Sequence, residues 1–298
     1  MVRQYKIHTN LDGMNDKVWD VTNGKVRFYQ PSNLGLQSTN NIWQSNGIGV
    51  MGTRSITQPQ IEFKLETFGE SLEENYRLMK DFINDILNQK FVTLEYQTEI
   101  FQVYADLALA DVTKTEGYGK NGTFSEKITF DIITKWYTYE NLTFDMVQNG
   151  KVLSGKSKIY GGTAPGDYKY VKGTSYTYYG ETNIERLSRW DIKDEIFSFM
   201  GILYPKLPKT PAGVRFLDDI GNEYTAIVFK TEQLQDYILI NTDVNDETYQ
   251  GWNGTTALNL FPVMDFERYR TRIIEKGQME LINLSKAEFK IKRKAEFV

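Results

Sequence analysis

A mainly β protein built as two units, the first carrying one helix, is what the sequence predicts. Three observations carry that expectation. Apolar and polar residues alternate in short runs along much of the chain, the period-two pattern of strands with one buried face. Only Ser71 to Lys90 shows the spacing of an amphipathic helix. At 298 residues, the chain is long enough for two ordinary cores.

From Lys25 to Leu107 the alternation is clearest in "IEFKLET", where Ile61, Phe63 and Leu65 point one way and Glu62, Lys64 and Glu66 the other. The helix follows. Ser71 and Glu74 form an S-x-x-E capping box, and Leu72, Tyr76, Met79, Ile83 and Ile86 recur at helical spacing behind it. Strand grammar resumes in "FVTLEYQTEIFQVYADLAL" and in "EKITFDIITKWY", with Ile128, Phe130, Ile132 and Trp136 on one face. A β sheet covered by one helix is the natural packing for residues 1–140.

Two glycine motifs invite a nucleotide reading, and their contexts argue against it. "GYGKNG", Gly117 to Gly122, matches a dinucleotide fingerprint but leads into the strand-like "TFSEKITFDII" where a helix is required. "GKVLSGKS", Gly150 to Ser157, has the letters of a phosphate loop. It is followed by Gly161, Gly162, Pro165 and Gly166, which forbid the helix whose N-terminus would hold the phosphates. Both are read as turns or hairpins.

Next comes a tyrosine-rich stretch. "YVKGTSYTYYGE" places Tyr170, Lys172, Thr174, Tyr176 and Tyr178 on one strand face. Such residues suit an exposed recognition surface; an ordinary sandwich strand is the competing reading. Arg189 and Trp190 open the following segment, which carries Pro205, Pro208 and Pro211, three of the seven prolines. The remainder reads as strands: "EYTAIVFK", "DYILINTD", "TTALNLFPVM", "RTRIIEK" with a partner across a turn at Gly277, and the closing "AEFKIKRKAEFV" with a solvated basic face.

Composition narrows the chemistry. A net charge of −4 and the lack of a sizeable basic patch argue against sequence-specific nucleic-acid binding. There is no cysteine, and His8 is the single histidine, so zinc clusters are excluded and a catalytic triad could draw only on His8. No apolar run approaches the roughly 20 residues of a spanning helix, and the opening "MVRQYKIHTN" lacks a signal-peptide core. The expectation is a protein soluble as made, with no membrane insertion, metal or cofactor, while catalysis by carboxylates alone stays open. Asp243, Asn245, Asp246 and Glu247 crowd one loop, but Thr248 and Gly254 stand at its sixth and twelfth positions, which rules out an EF-hand.

The order of "KVRFYQ", "SITQPQIEFKLETFGE" and the capped helix, "DYILINTD", "LNLFPVMDFERYR" and the closing basic strand resembles the distal tail proteins of siphophages, most closely those of lactococcal phages. The resemblance covers essentially the whole chain and lies in the order of segments, since the family carries no catalytic signature. It implies a structural hub in the virion tail tip, assembled in the host cytoplasm. In that picture a homo-hexameric ring forms from residues 1–140 completed by a C-terminal strand, 283–298. Residues 141–282 form an outward galectin-like β-sandwich, with an arm-like extension within about 151–211. The implied partners are a receptor-binding protein, a tail-associated protein and the tail tube or major tail protein, with DNA passing through the centre. On the arm, Tyr170, Tyr176, Tyr178, Arg189 and Trp190 are the candidate partner-binding residues. A carbohydrate-binding module using Trp252 beside Asn253 is the alternative from another class, and a carboxylate-only glycosidase is the enzymatic one.

Overall fold

The computed structural model describes residues 3–13, 15–35, 37–57, 60–114, 125–145, 147–148, 151–152 and 190–295. The chain divides into two compact units, Met1–Thr138 with Ala295–Val298, and Tyr139–Lys294.

The first unit contains β1 (Gln4–His8), β2 (Val18–Asp20), β3 (Val26–Ser32), the pair β4 (Gln37–Ser45) and β5 (Ile48–Thr57), then β6 (Ile61–Thr67), α1 (Leu72–Leu87), β7 (Val92–Gln97), β8 (Gln102–Thr113) and β9 (Ser125–Ile132). Apart from the β4–β5 pair, the strands form one antiparallel sheet in the order β3-β6-β9-β8-β7-β1-β2. The Phe28 N–H donates to the Val21 carbonyl at 2.7 Å, bringing the β3 edge back beside the end of β2. The period-two pattern has its expected consequence in β6: Ile61, Phe63 and Leu65 are buried, and Glu62, Lys64 and Glu66 are half-buried on the other side.

The helix starts where its cap dictates. Ser71 is the N-cap, its Oγ accepting the Glu74 N–H at 3.2 Å, while the Glu74 carboxylate accepts the Glu70 N–H at 2.7 Å. The buried stripe differs from the expected one. Phe82, Ile86 and Asn75 face the core, with Met79 and Ile83 flanking, whereas Leu72 and Tyr76 are exposed. Phe82 meets Trp19 and Phe28 edge-on, with ring centroids 5.3 and 5.8 Å away, and the Asn75 side-chain oxygen accepts the Gly69 N–H at 2.6 Å. These tertiary contacts select the phase of the helix.

In the second unit β10 (Tyr137–Asp145) is followed by the short pair β11 (Val147–Gln148) and β12 (Lys151–Val152), β13 (Trp190–Ile192), β14 (Ile196–Pro205), β15 (Ala212–Leu217), β16 (Glu223–Phe229), β17 (Tyr237–Asn241), β18 (Thr248–Asn253), β19 (Thr256–Asn259), β20 (Gly277–Ile282) and β21 (Leu284–Lys294). One sheet runs β19-β18-β17-β14-β21-β10 and the other β13-β20-β15-β16. Their inner faces share a core in which Phe199 lies 5.9 Å from both Phe216 and Phe289. Gly201 pairs with Phe289, and a Cβ there would sit 3.0 Å from the Phe289 ring, so this glycine makes room for the ring.

Four sequence expectations need correction. The final strand does not complete the first unit: β21 pairs with β14, and Leu284, Ala287, Phe289 and Ile291 fill the second core. After β21 the chain returns to the first unit at Ala295, whose N–H donates to the Trp136 carbonyl at 2.8 Å. Lys292 is not on a solvated face. It is buried, its Nζ 2.8 Å from the equally buried Asp243 carboxylate. "RTRIIEK" is no hairpin arm, because Gly277 opens β20, whose partners are β13 and β15, and a Cβ at Gly277 would lie 1.9 Å from the Leu217 carbonyl oxygen. Finally, "TTALNLFPVM" is a strand only through Asn259; Phe261–Val263 forms a 3-10 turn, as Pro262 demands.

Candidate functional site

Among the described residues the longest wholly exposed strand is β4, one arm of the β4–β5 ribbon. Its turn is Asn46–Gly47, with φ of 50° and 80°, the left-handed pair that a tight two-residue hairpin requires and that Asn-Gly adopts readily. Every residue of β4 is exposed. The register places Trp43, Val50 and Ile48 on one face and Ile42 with Met51 on the other. Trp43 is 70% exposed on one face and Ile42 53% on the other, so apolar surface faces outward on both sides. A two-stranded ribbon of this kind has no core of its own. "SNGI" was the sequence signal for it, hidden within a general expectation of strands.

A second surface is the outer face of the β19-β18-β17-β14-β21-β10 sheet. Met200, Ile202 and Leu239 form a half-buried apolar strip, flanked by Asn141 and Thr143 of β10, Glu288 and Lys290 of β21, and Asn241 and Thr248 on the β17–β18 side, around a cavity of about 500 Å³. Beside it Tyr204, Tyr237 and Trp252 form a cross-strand row; Tyr237 and Trp252 stack nearly parallel at 5.9 Å. Trp252 stands in β18 just before the turn at Gly254, with a ring face against Tyr237.

Polar clusters elsewhere are committed to structure. His8 Nδ1 lies 2.6 Å from Asp16 and Nε2 2.8 Å from Glu95, which also accepts from Lys6 Nζ at 2.8 Å. Burial alone would raise the Glu95 carboxyl, but the hydrogen bonds from Lys6 and His8 hold it below its ordinary range. Burial pushes Tyr104 up to about 12, with the Glu95 charge adding to it. Tyr249, desolvated and donating to Glu247 at 2.8 Å, is also raised. Among the described residues no group of three or more His, Asp or Glu is placed to hold a metal ion, and no helix is long and apolar enough to cross a membrane.

Of the expected partner-binding residues, Tyr170, Tyr176, Tyr178 and Arg189 lie outside the described residues, as do both glycine motifs apart from Lys151–Val152. Trp190 is half-buried, pairs with Met279 and packs against the second core.

A two-unit β scaffold with outward apolar surfaces defines a structural assembly protein. Comparison with known proteins makes that specific. Residues 4–133 match the N-terminal domain model of the distal tail protein, and residues 135–298 its C-terminal domain model. The chain belongs to the distal tail protein family, which is structural and not enzymatic. It is 93% identical to the distal tail protein of Lactococcus phage p2 and 91% to that of Lactococcus phage SK1, over the full length of each. A chain of the phage p2 baseplate in its activated conformation with Ca matches at 93% identity and a TM-score of 0.80, with full coverage of both chains. The SPP1 Dit crystal structure shares the fold at 10% identity and a TM-score of 0.53, over 98% of this chain and 99% of that one.

Proposed function

We propose that this chain is the hub of a phage baseplate in the virion: six copies close into a ring joining the tail tube to the tail-associated protein and the receptor-binding proteins, with a central passage for DNA. The observation that carries the reading is the β4–β5 ribbon, which leaves Trp43, Ile48 and Val50 outside its own fold. Apolar surface of this kind is stabilised by burial against another copy, and head-to-tail contacts of identical subunits either close or polymerise. The 93% identity to a chain of the phage p2 baseplate supports the setting. The second unit takes the role of a galectin-like sandwich from which an arm within about 151–211, excluding β13 and β14 because they belong to the sandwich sheets, holds the receptor-binding protein. Tyr170, Tyr176, Tyr178 and Arg189 supply contacts there, and Trp190 anchors the arm's base through its half-buried packing on the core.

Mass photometry of the purified chain tests the ring. A hexamer is expected, and its loss is expected when Asn40–Arg54 is replaced by a short Gly-Ser link; a monomer at all concentrations, with or without tail partners, refutes the hub. Affinity for the cognate receptor-binding protein, measured for Tyr176→Ser and Tyr178→Ser, tests the arm separately.

A further inference from the structure

We propose that the outer sheet face of the second unit is a binding site for a short neutral saccharide, seated on Met200, Ile202 and Leu239. The cavity of about 500 Å³ has the size of a small-molecule site. Strand addition by a peptide is blocked, because β14 is paired with β17 and β21 on its two sides, and β17 with β14 and β18. What the face offers is side chains. Its floor is a narrow apolar strip, and hydrogen-bonding groups converge from both flanks: Asn141, Thr143 and Glu288 on one side, Thr248 on the other. A sugar ring has the matching form, an apolar C–H face with hydroxyls around its edge. A carboxylate such as Glu288 accepts hydroxyl hydrogen bonds more strongly than a neutral group does.

Charge decides the class of saccharide. Glu288 pairs with Lys286, Asp246 accepts from Asn241 at 3.2 Å, and Lys290 lies over the Tyr139 ring at 4.0 Å. With Lys286 beside Glu288, two carboxylates stand against two ammoniums around the floor, a balance that suits an uncharged ligand and gives a phosphate or carboxylate no net attraction. The alternation along β14 and β17 produces the arrangement, because Phe199, Gly201 and Leu203 turn to the core and release Met200 and Ile202 to the outer face. The site belongs to the second unit and the ribbon to the first, so different variants test the saccharide site and the hub.

The test is saturation-transfer NMR on the full-length chain with glucose, galactose and N-acetylglucosamine at millimolar concentration, beside glycerol phosphate as an anionic probe, followed by a glycan array. Transfer to at least one neutral sugar is expected, with Glu288→Gln weakening it about tenfold, the loss of one charge-assisted hydrogen bond. Leu239→Ser should abolish transfer, and unchanged melting of both variants shows that they fold. A Trp43→Ser protein should bind the sugar like wild type, separating this site from assembly. Transfer from none of the neutral sugars and an array without hits, preference for glycerol phosphate, or full binding by the Leu239→Ser protein overturns the proposal.

Discussion

If the proposed ring is closed through the β4–β5 ribbon, replacing Trp43 by Ser should weaken it while leaving the subunit intact. The indole is 70% exposed in the subunit. With a buried aromatic worth 150–250 Å² of contact area, about 150 Å² of this side chain is available to a partner, equivalent to an upper bound of about 4 kcal/mol at ~25 cal/mol per Å². Alanine scans of central aromatic anchors commonly return about 2 kcal/mol or more. A loss of about 2 kcal/mol weakens each subunit contact roughly thirtyfold. Within the subunit Trp43 faces Val50, its cross-strand partner, and lies near Gly52, so no core contact is lost. Sedimentation velocity across a concentration series should show the hexamer receding to higher concentration, and calorimetry should show the same melting temperature as wild type. Assembly at unchanged concentration would remove Trp43 from the interface. A melting temperature lower by several degrees would show that the ribbon supports the subunit's own core.

Three further outcomes are expected. Phe82→Ala should cost about 3–5 kcal/mol by urea unfolding of the first unit, since a fully buried ring is lost beneath Trp19 and Phe28. Asp243→Ala should destabilise the second unit by about 1.5–3 kcal/mol because it removes a charge-assisted hydrogen bond from the buried Lys292 ammonium, and Lys292→Met should cost less in the Asp243→Ala background than in wild type; equal costs in the two backgrounds would show that the pair is not coupled. Glu95 is held below its ordinary carboxylate range when folded, so its contribution is present above the unfolded value of about 4.3 and is lost as pH falls through the lower folded value. Glu95→Gln should therefore be less stable than wild type at pH 7, and the gap should narrow below about pH 4; a gap independent of pH would locate the effect in packing.

Features set by neighbours in sequence were legible, and those set by distant partners were not. Ser71 and Glu74 mark the start of α1 because the capping hydrogen bonds lie within a few residues. Which helical stripe is buried depends on Trp19, Phe28 and Gly69, and a hydrophobicity pattern counts Tyr76 as apolar while passing over Asn75. The closing strand was evident from its alternation, but its partner was not: β14 lies about 90 residues earlier, and a period-two pattern names a face without naming the strand beside it. Lys292 shows the same limit, since it reads as one more lysine of a basic face until Asp243 is placed opposite it. The outer-face site was out of reach because it is assembled from five strands, while the sequence drew attention to Trp252, whose ring is stacked on Tyr237.

The pairing of β14 with β21 also settles how the sheet avoids misalignment. Along β21, lysines recur at 290, 292 and 294, so a slip of two residues keeps every side chain on its proper face and still brings an ammonium to Asp243. Charge and polarity are therefore blind to that error. Size is not. In the native alignment Phe199 meets Ile291, Gly201 meets Phe289 and Leu203 meets Ala287, so bulk on one strand faces little bulk on the other at the last two steps. Sliding β21 by two residues in either direction would set Phe289 against Phe199 or Leu203 and leave the space at Gly201 to a smaller side chain, giving overpacking at one step and a void at the next. The absent side chain at Gly201 thus acts as a notch for a single tooth, and it carries alignment information that the repeating lysines lack.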